Sequence, residues 1–124
     1  LQYKMHEIVK PMMEFSGQIK LYHWKTSSFA RHKGTDKFLE KYDKLFDEFV
    51  EVMSGYRNEK IHDAFSVTYK KLTDATAEAY VIKFRDWVCH KLPSLLFEHE
   101  TDLLNLKDEI LANTNRLLYL MRLK

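Results

Sequence analysis

The side chains able to bind metal or move protons are six histidines, one cysteine and a run of carboxylates in the first half of the chain. Their spacing is regular. His32 and Asp36 stand four apart, Asp47 lies eleven further on, and Glu51 four beyond that, with His23 upstream. Spacings of four stack side chains one above another on a helix. Asp47 and Glu51 then form a like-charge pair that costs about 0.2–0.5 kcal/mol, unless a cation turns the repulsion into attraction. Imidazole and carboxylate donors suit iron, manganese or zinc. Set against this is the blander reading of a solvated charged face. Cys89 and His90 are adjacent, splayed about 100° apart on a helix, and make a poor nucleophile–base pair. His6, His62, His90 and His99 read as structural residues.

The elements that must position these groups emerge from apolar periodicity. From Met5 to Phe29, steps of three and four through Ile8, Met12, Phe15, Ile19 and Tyr22 predict a first helix, with Pro11 costing a kink or a late start. Ser27, Ser28 and Gly34 mark a connection, with Ser28 or Thr35 as the cap of the next helix. Phe38, Tyr42, Leu45, Phe49, Val52 and Tyr56 predict that second helix, stopped by Gly55. Residues 57–73 are ambiguous, a short helix or an ordered loop. Ala77, Tyr80, Val81, Phe84, Trp87 and Val88 carry a third helix over about 74–91, broken by Pro93. Leu103, Leu106, Ile110, Leu117 and Met121 carry a fourth over about 98–123. Four helices around one core make an all-α four-helix bundle, with a short element between helices two and three and a single domain over 1–124.

Composition agrees. Only five of 124 residues are glycine or proline, too few for the turns of a sandwich or barrel, and the three glycines cannot form a phosphate-binding loop. One cysteine excludes an intrachain disulfide and favours a reducing, cytoplasmic setting. No apolar run approaches a membrane span, and no signal peptide is visible. The net charge of +2 comes from interleaved signs, not the one-sided basic stripe of a nucleic-acid binder.

On a helical wheel the second helix puts Phe38, Tyr42, Leu45, Phe49, Met53 and Tyr56 on one face, the core face, and Asp36, Glu40, Asp43, Asp47 and Glu51 nearly opposite. Glu40 and Lys44 are spaced as a favourable pair. An inward-facing di-iron centre would need two Glu-x-x-His motifs; the chain has one, Glu59 to His62, in the ambiguous segment. A cation on the acid face would therefore sit between subunits. His23 lies at the edge of its own core face. Trp24 lies outside it, near Val9 and Met13, as if facing a subunit interface.

The stretch His23-Trp24, His32-x-x-x-Asp36, Asp47-x-x-x-Glu51 resembles the signature of Dps proteins, the miniature ferritins. His32 to Asp36, Asp36 to Asp47 and Asp47 to Glu51 all match the family's spacing; the His23–His32 connection is shorter. The resemblance implies a ferritin-like bundle, a homo-oligomer, and a ferroxidase site shared by two subunits. His23, His32 and Asp36 would come from one chain and Asp47 and Glu51 from its neighbour, with iron as the metal and zinc or manganese as alternatives. The run Leu21 to Thr26 with Phe29 to His32 is also similar to small proteins of large DNA viruses and phages, which implies a virion setting and viral structural partners. Two functions stand: a Dps-like metal-binding oligomer that oxidises, stores or detoxifies iron, or a non-catalytic helical bundle serving assembly.

Overall fold

The computed structural model describes residues 5–61 and 64–123. Four α-helices pack together: α1 (His6–Lys25), α2 (Phe29–Arg57), α3 (Ala77–Asp86) and α4 (Thr101–Met121). Among the described residues there is no strand. The most extensive packing is α4 on α2, followed by α1 on α2.

Boundaries reflect local chemistry. Pro11 sits in the second turn of α1, where it forfeits one backbone bond, and the helix runs through it. The helix ends at Lys25, four residues before Phe29, which opens α2 and is 74% exposed. Ser28 caps α2, its hydroxyl accepting from Arg31 N–H at 3.2 Å. Gly34 and Thr35 are buried inside α2. Gly34 lets α4 come close, since a Cβ there would meet Leu120 Cβ at 3.3 Å. Gly55 does not stop the helix. The stop is Asn58, in the left-handed conformation at φ 54°, a role asparagine fills when glycine is absent.

After α3 the chain stays helical but opens into a wide turn over Trp87–Lys91 and tightens into a 3₁₀ turn over Leu92–Leu95. Pro93 explains the change: it lacks the N–H for the regular ladder, and its ring would strike the carbonyl four residues back. Leu92 N–H reaches Trp87 O instead.

The core matches the expected face of α2: Phe38, Tyr42, Leu45, Phe49 and Met53 are buried, while Tyr56 is exposed. Phe84, Ile110 and Leu117 join it, and Trp87 packs against it half-buried. Phe15 is the aromatic hub, stacked on Phe84 at 3.7 Å between centroids and edge-on to Phe38 at 5.8 Å. Tyr42 is wholly buried and donates its hydroxyl to Met12 O at 2.7 Å; that burial pushes the phenol well above its ordinary pKa.

Residues 64–73 of the ambiguous segment form an ordered strap along α1. Gln18, buried in α1, clamps Lys70 from both sides: Lys70 N–H donates to Gln18 Oε1 at 2.7 Å, and Gln18 Nε2 donates to Lys70 O at 2.8 Å. Glu14 accepts from Thr68 N–H, and Leu72 is buried. A side-chain amide here replaces the strand partner this segment lacks.

Candidate functional site

The turn between α1 and α2 folds His23 and His32 against each other. Their rings stack at 4.1 Å between centroids, with planes 14° apart. His23 is buried, its Nδ1 2.8 Å from Thr35 Oγ1. Thr35 has one hydroxyl proton and lies 2.7 Å from Arg31 O, which can only accept. Thr35 therefore accepts from His23 Nδ1–H. His32 is exposed and lies with Nδ1 3.0 Å from His23 O, again an acceptor only, so His32 Nδ1 also carries the proton. With Nδ1–H committed, the neutral form of each ring carries its lone pair on Nε2, one of the two nitrogens through which histidines bind metals. Neither Nε2 has a partner among the described residues. No buried side-chain atom of His23 lacks a partner, so its Nε2 keeps a path to solvent, while His32 is exposed as a residue.

Imidazole lone pairs lie in the ring plane. Two nearly parallel rings cannot turn them onto one ion, so each ring offers a donor to its own cation.

The carboxylates lie as the wheel predicts. Asp36, Glu40, Asp43, Asp47 and Glu51 are all exposed, on the side of α2 away from the core. Asp43 accepts from Ser16 Oγ at 3.0 Å. The expected Glu40–Lys44 pair does not form. Asp36 comes one turn after His32. Asp47 and Glu51 stand about 16 and 22 Å further along the helix, at 1.5 Å per residue. Among the described residues no three His, Cys, Asp or Glu side chains converge within one chain to hold a metal. One chain offers two separated half-sites: the histidine pair with Asp36, and Asp47 with Glu51.

Trp24 is 67% exposed, with the Lys20 ammonium 5.4 Å from its ring centroid. Met13 is exposed near it in the helical pattern, but Val9 is buried, which shortens the outer apolar stripe expected on α1. His90 and Cys89 are exposed on the wide turn after α3, and His62 lies outside the described residues.

Two polar clusters escaped the sequence reading. At the histidine end, Asp74 accepts from Tyr22 at 2.7 Å, from Thr26 Oγ1 at 2.5 Å, and from Ser27 through both backbone N–H and hydroxyl. The hydroxyls of Thr26 and Tyr22 and the two donors of Ser27 pull its pKa down to about 2. Arg31 completes the clasp, donating to Tyr22 Oη, Asp74 O and Met121 O, so that both helix ends and α4 meet there. At the other end, Arg57 and Glu100 form a two-pronged ion pair at 3.0 and 2.7 Å, both side chains almost fully buried. Glu100 also accepts from Phe97 N–H at 2.8 Å. The signal for Arg57 was its place just past the apolar face of α2; nothing local marked Asp74.

Residues 23–121 match the model of a protein family described as a family of unknown function, DUF5856. The chain belongs to that family. No curated protein and no solved structure matches it. The matched span of this DUF5856 chain opens at His23 and closes at Met121, so it takes in the histidine pair, the whole acid face of α2, the Arg57–Glu100 pair and all of the Asp74 cluster but Tyr22. No helix among the described residues is long and apolar enough to cross a membrane.

Proposed function

We propose that this chain is a Dps-like, metal-binding homo-oligomer that takes up ferrous iron at sites shared between subunits and oxidises it with O₂ or peroxide. The observation that carries the reading is the histidine pair. His23 and His32 have their Nδ1 protons committed to Thr35 and a backbone carbonyl, leaving two Nε2 atoms without a partner among the described residues. A pair serving only to pin two helix ends has no need of bare Nε2 atoms. His23, His32 and Asp36 of one chain supply one half of the site and Asp47 and Glu51 of a neighbour the other. Each imidazole tunes its own iron, and the carboxylates neutralise the charge. The exposed Trp24 supports the oligomer, since an outward tryptophan is costly to hydrate unless another surface covers it.

Anaerobic titration of ferrous iron, with solution mass measured alongside, tests the reading. The wild-type chain takes up iron as an oligomer; His32→Gln and Asp47→Asn with Glu51→Gln each abolish uptake while keeping the helical signal. Equal, negligible uptake by all three proteins rejects it. It leaves the assembly bundle, with Trp24 as contact residue, as the better account.

A further inference from the structure

A second concave site lies on the other flank of α2. Gly34, Lys37, Lys41 and Lys44 of α2 and Asn113 and Arg116 of α4 line a groove of about 300 Å³ between the two helices. Its origin is local. α4 approaches closely at Gly34, and Lys37, Lys41 and Lys44 follow along α2, with Phe38, Leu117 and Leu120 also in the lining. Those three lysines recur at steps of four and three and so share one wall. Arg116 faces them from α4.

The charge is unbalanced and unspent. Four cations stand against one carboxylate, Glu40, and none of the five side chains makes a hydrogen bond or ion pair among the described residues. At the floor, buried Asn113 donates Nδ2–H to Phe38 O at 3.2 Å. That bond fixes the amide so that Oδ1 is the free acceptor. Because no fully buried polar side-chain atom lacks a partner, Oδ1 opens outward.

We infer that this groove binds a linked oligophosphate, either a free inorganic one or the phosphate tail of a nucleotide. Size excludes a helix of another copy: an α-helix is about 10 Å across with its side chains, while the groove is at the lower end of small-ligand pockets. Length excludes a single phosphate. Lys37 to Lys44 spans about 10 Å of helix, which one tetrahedral anion cannot bridge and two or three linked phosphates can. Ammonium groups act as point charges and Arg116 as a two-pronged donor, the pairing that phosphate oxygens take. Asn113 Oδ1 suits a hydroxyl or amino donor on the organic part of a nucleotide.

The test is calorimetric titration of the intact chain in metal-free buffer with orthophosphate, tripolyphosphate, citrate and ATP. Tripolyphosphate binds, and orthophosphate and citrate bind far more weakly. Lys41→Gln with Arg116→Gln weakens tripolyphosphate about a hundredfold, or about tenfold for each charge-assisted contact. Lys10→Gln with Lys83→Gln, two exposed lysines outside the groove, removes the same charge and leaves affinity unchanged. ATP binding tighter than tripolyphosphate assigns the site to a nucleotide; equal binding assigns it to the phosphate chain alone. No binding of tripolyphosphate, equal binding of citrate, or an equal loss in both double variants overturns the inference.

Discussion

The two ends of the bundle are each locked by one carboxylate, by opposite physics. At the histidine end Asp74 is only partly covered, and four donors from Tyr22, Thr26 and Ser27 hold it ionised. At the far end Glu100 is buried with Arg57. Burial by itself would raise its pKa; the Arg57 hydrogen bonds and Phe97 N–H overcome that and hold it below its ordinary value. Both acids are depressed, yet one lock is a fan of neutral donors that water can replace and the other is a charge pair that water cannot reach. A depressed carboxyl therefore does not by itself report how much the fold depends on it. What matters is the state its partners are left in.

The two locks separate most widely when each loses its acid. Glu100→Ala takes the two-pronged carboxylate from a buried guanidinium. We expect a loss of about 3–5 kcal/mol in urea unfolding, and a much smaller loss when Arg57 is changed to methionine in the same chain, because no buried guanidinium then loses that carboxylate. Asp74→Ala leaves hydroxyls that solvent can satisfy, so a loss of about 1–3 kcal/mol is expected. An Asp74 variant as damaging as Glu100→Ala would erase the distinction.

Acid weakens both locks, and replacing Asp74 isolates its share. Asp74 titrates at about 2 when folded and at about 4 when unfolded. The unfolded chain therefore binds more protons in that window, and the stability Asp74 supplies is complete above pH 4 and drains away as pH falls toward 2. Asp74→Asn should flatten that limb of the wild-type curve in thermal melts, and an unchanged slope would remove Asp74 as its source. A still smaller change is expected on the acid face. Without metal, Asp47→Asn with Glu51→Gln relieves one like-charge pair and should stabilise the chain by about 0.2–0.5 kcal/mol.

Legibility in the sequence tracked distance along the chain. The core face of α2 could be read because Phe38, Tyr42, Leu45, Phe49 and Met53 repeat within one helix, and the acid stripe opposite them comes from the same period. Helix ends were less legible. Phe29 extended the α1 pattern although it belongs to α2, and Gly55 resembled the stop that Asn58 supplies one turn later. The strap over 64–73 resisted assignment because its partner is a side chain, Gln18, rather than a neighbouring strand. The spacing of His32, Asp36, Asp47 and Glu51 was visible; the stacking of His23 on His32 and the tautomers that Thr35 and a carbonyl impose were not. Asp74 and Glu100 meet partners 43 to 52 residues away, beyond any local pattern.

The all-α class, the four apolar stripes and the side of α2 that carries its carboxylates are all written in the residue order, since each is a matter of period within one helix. Which polar groups are spent and which stay free is settled by packing alone. Asp74, Glu100 and both Nδ1 atoms of the histidine pair are consumed by partners distant in the chain or across a turn. Lys37, Lys41, Lys44 and Arg116 come together around a groove with nothing to neutralise them but Glu40. A side chain's charge is fixed by its identity, but its unspent bonding capacity depends on what the fold brings within about 3 Å of it.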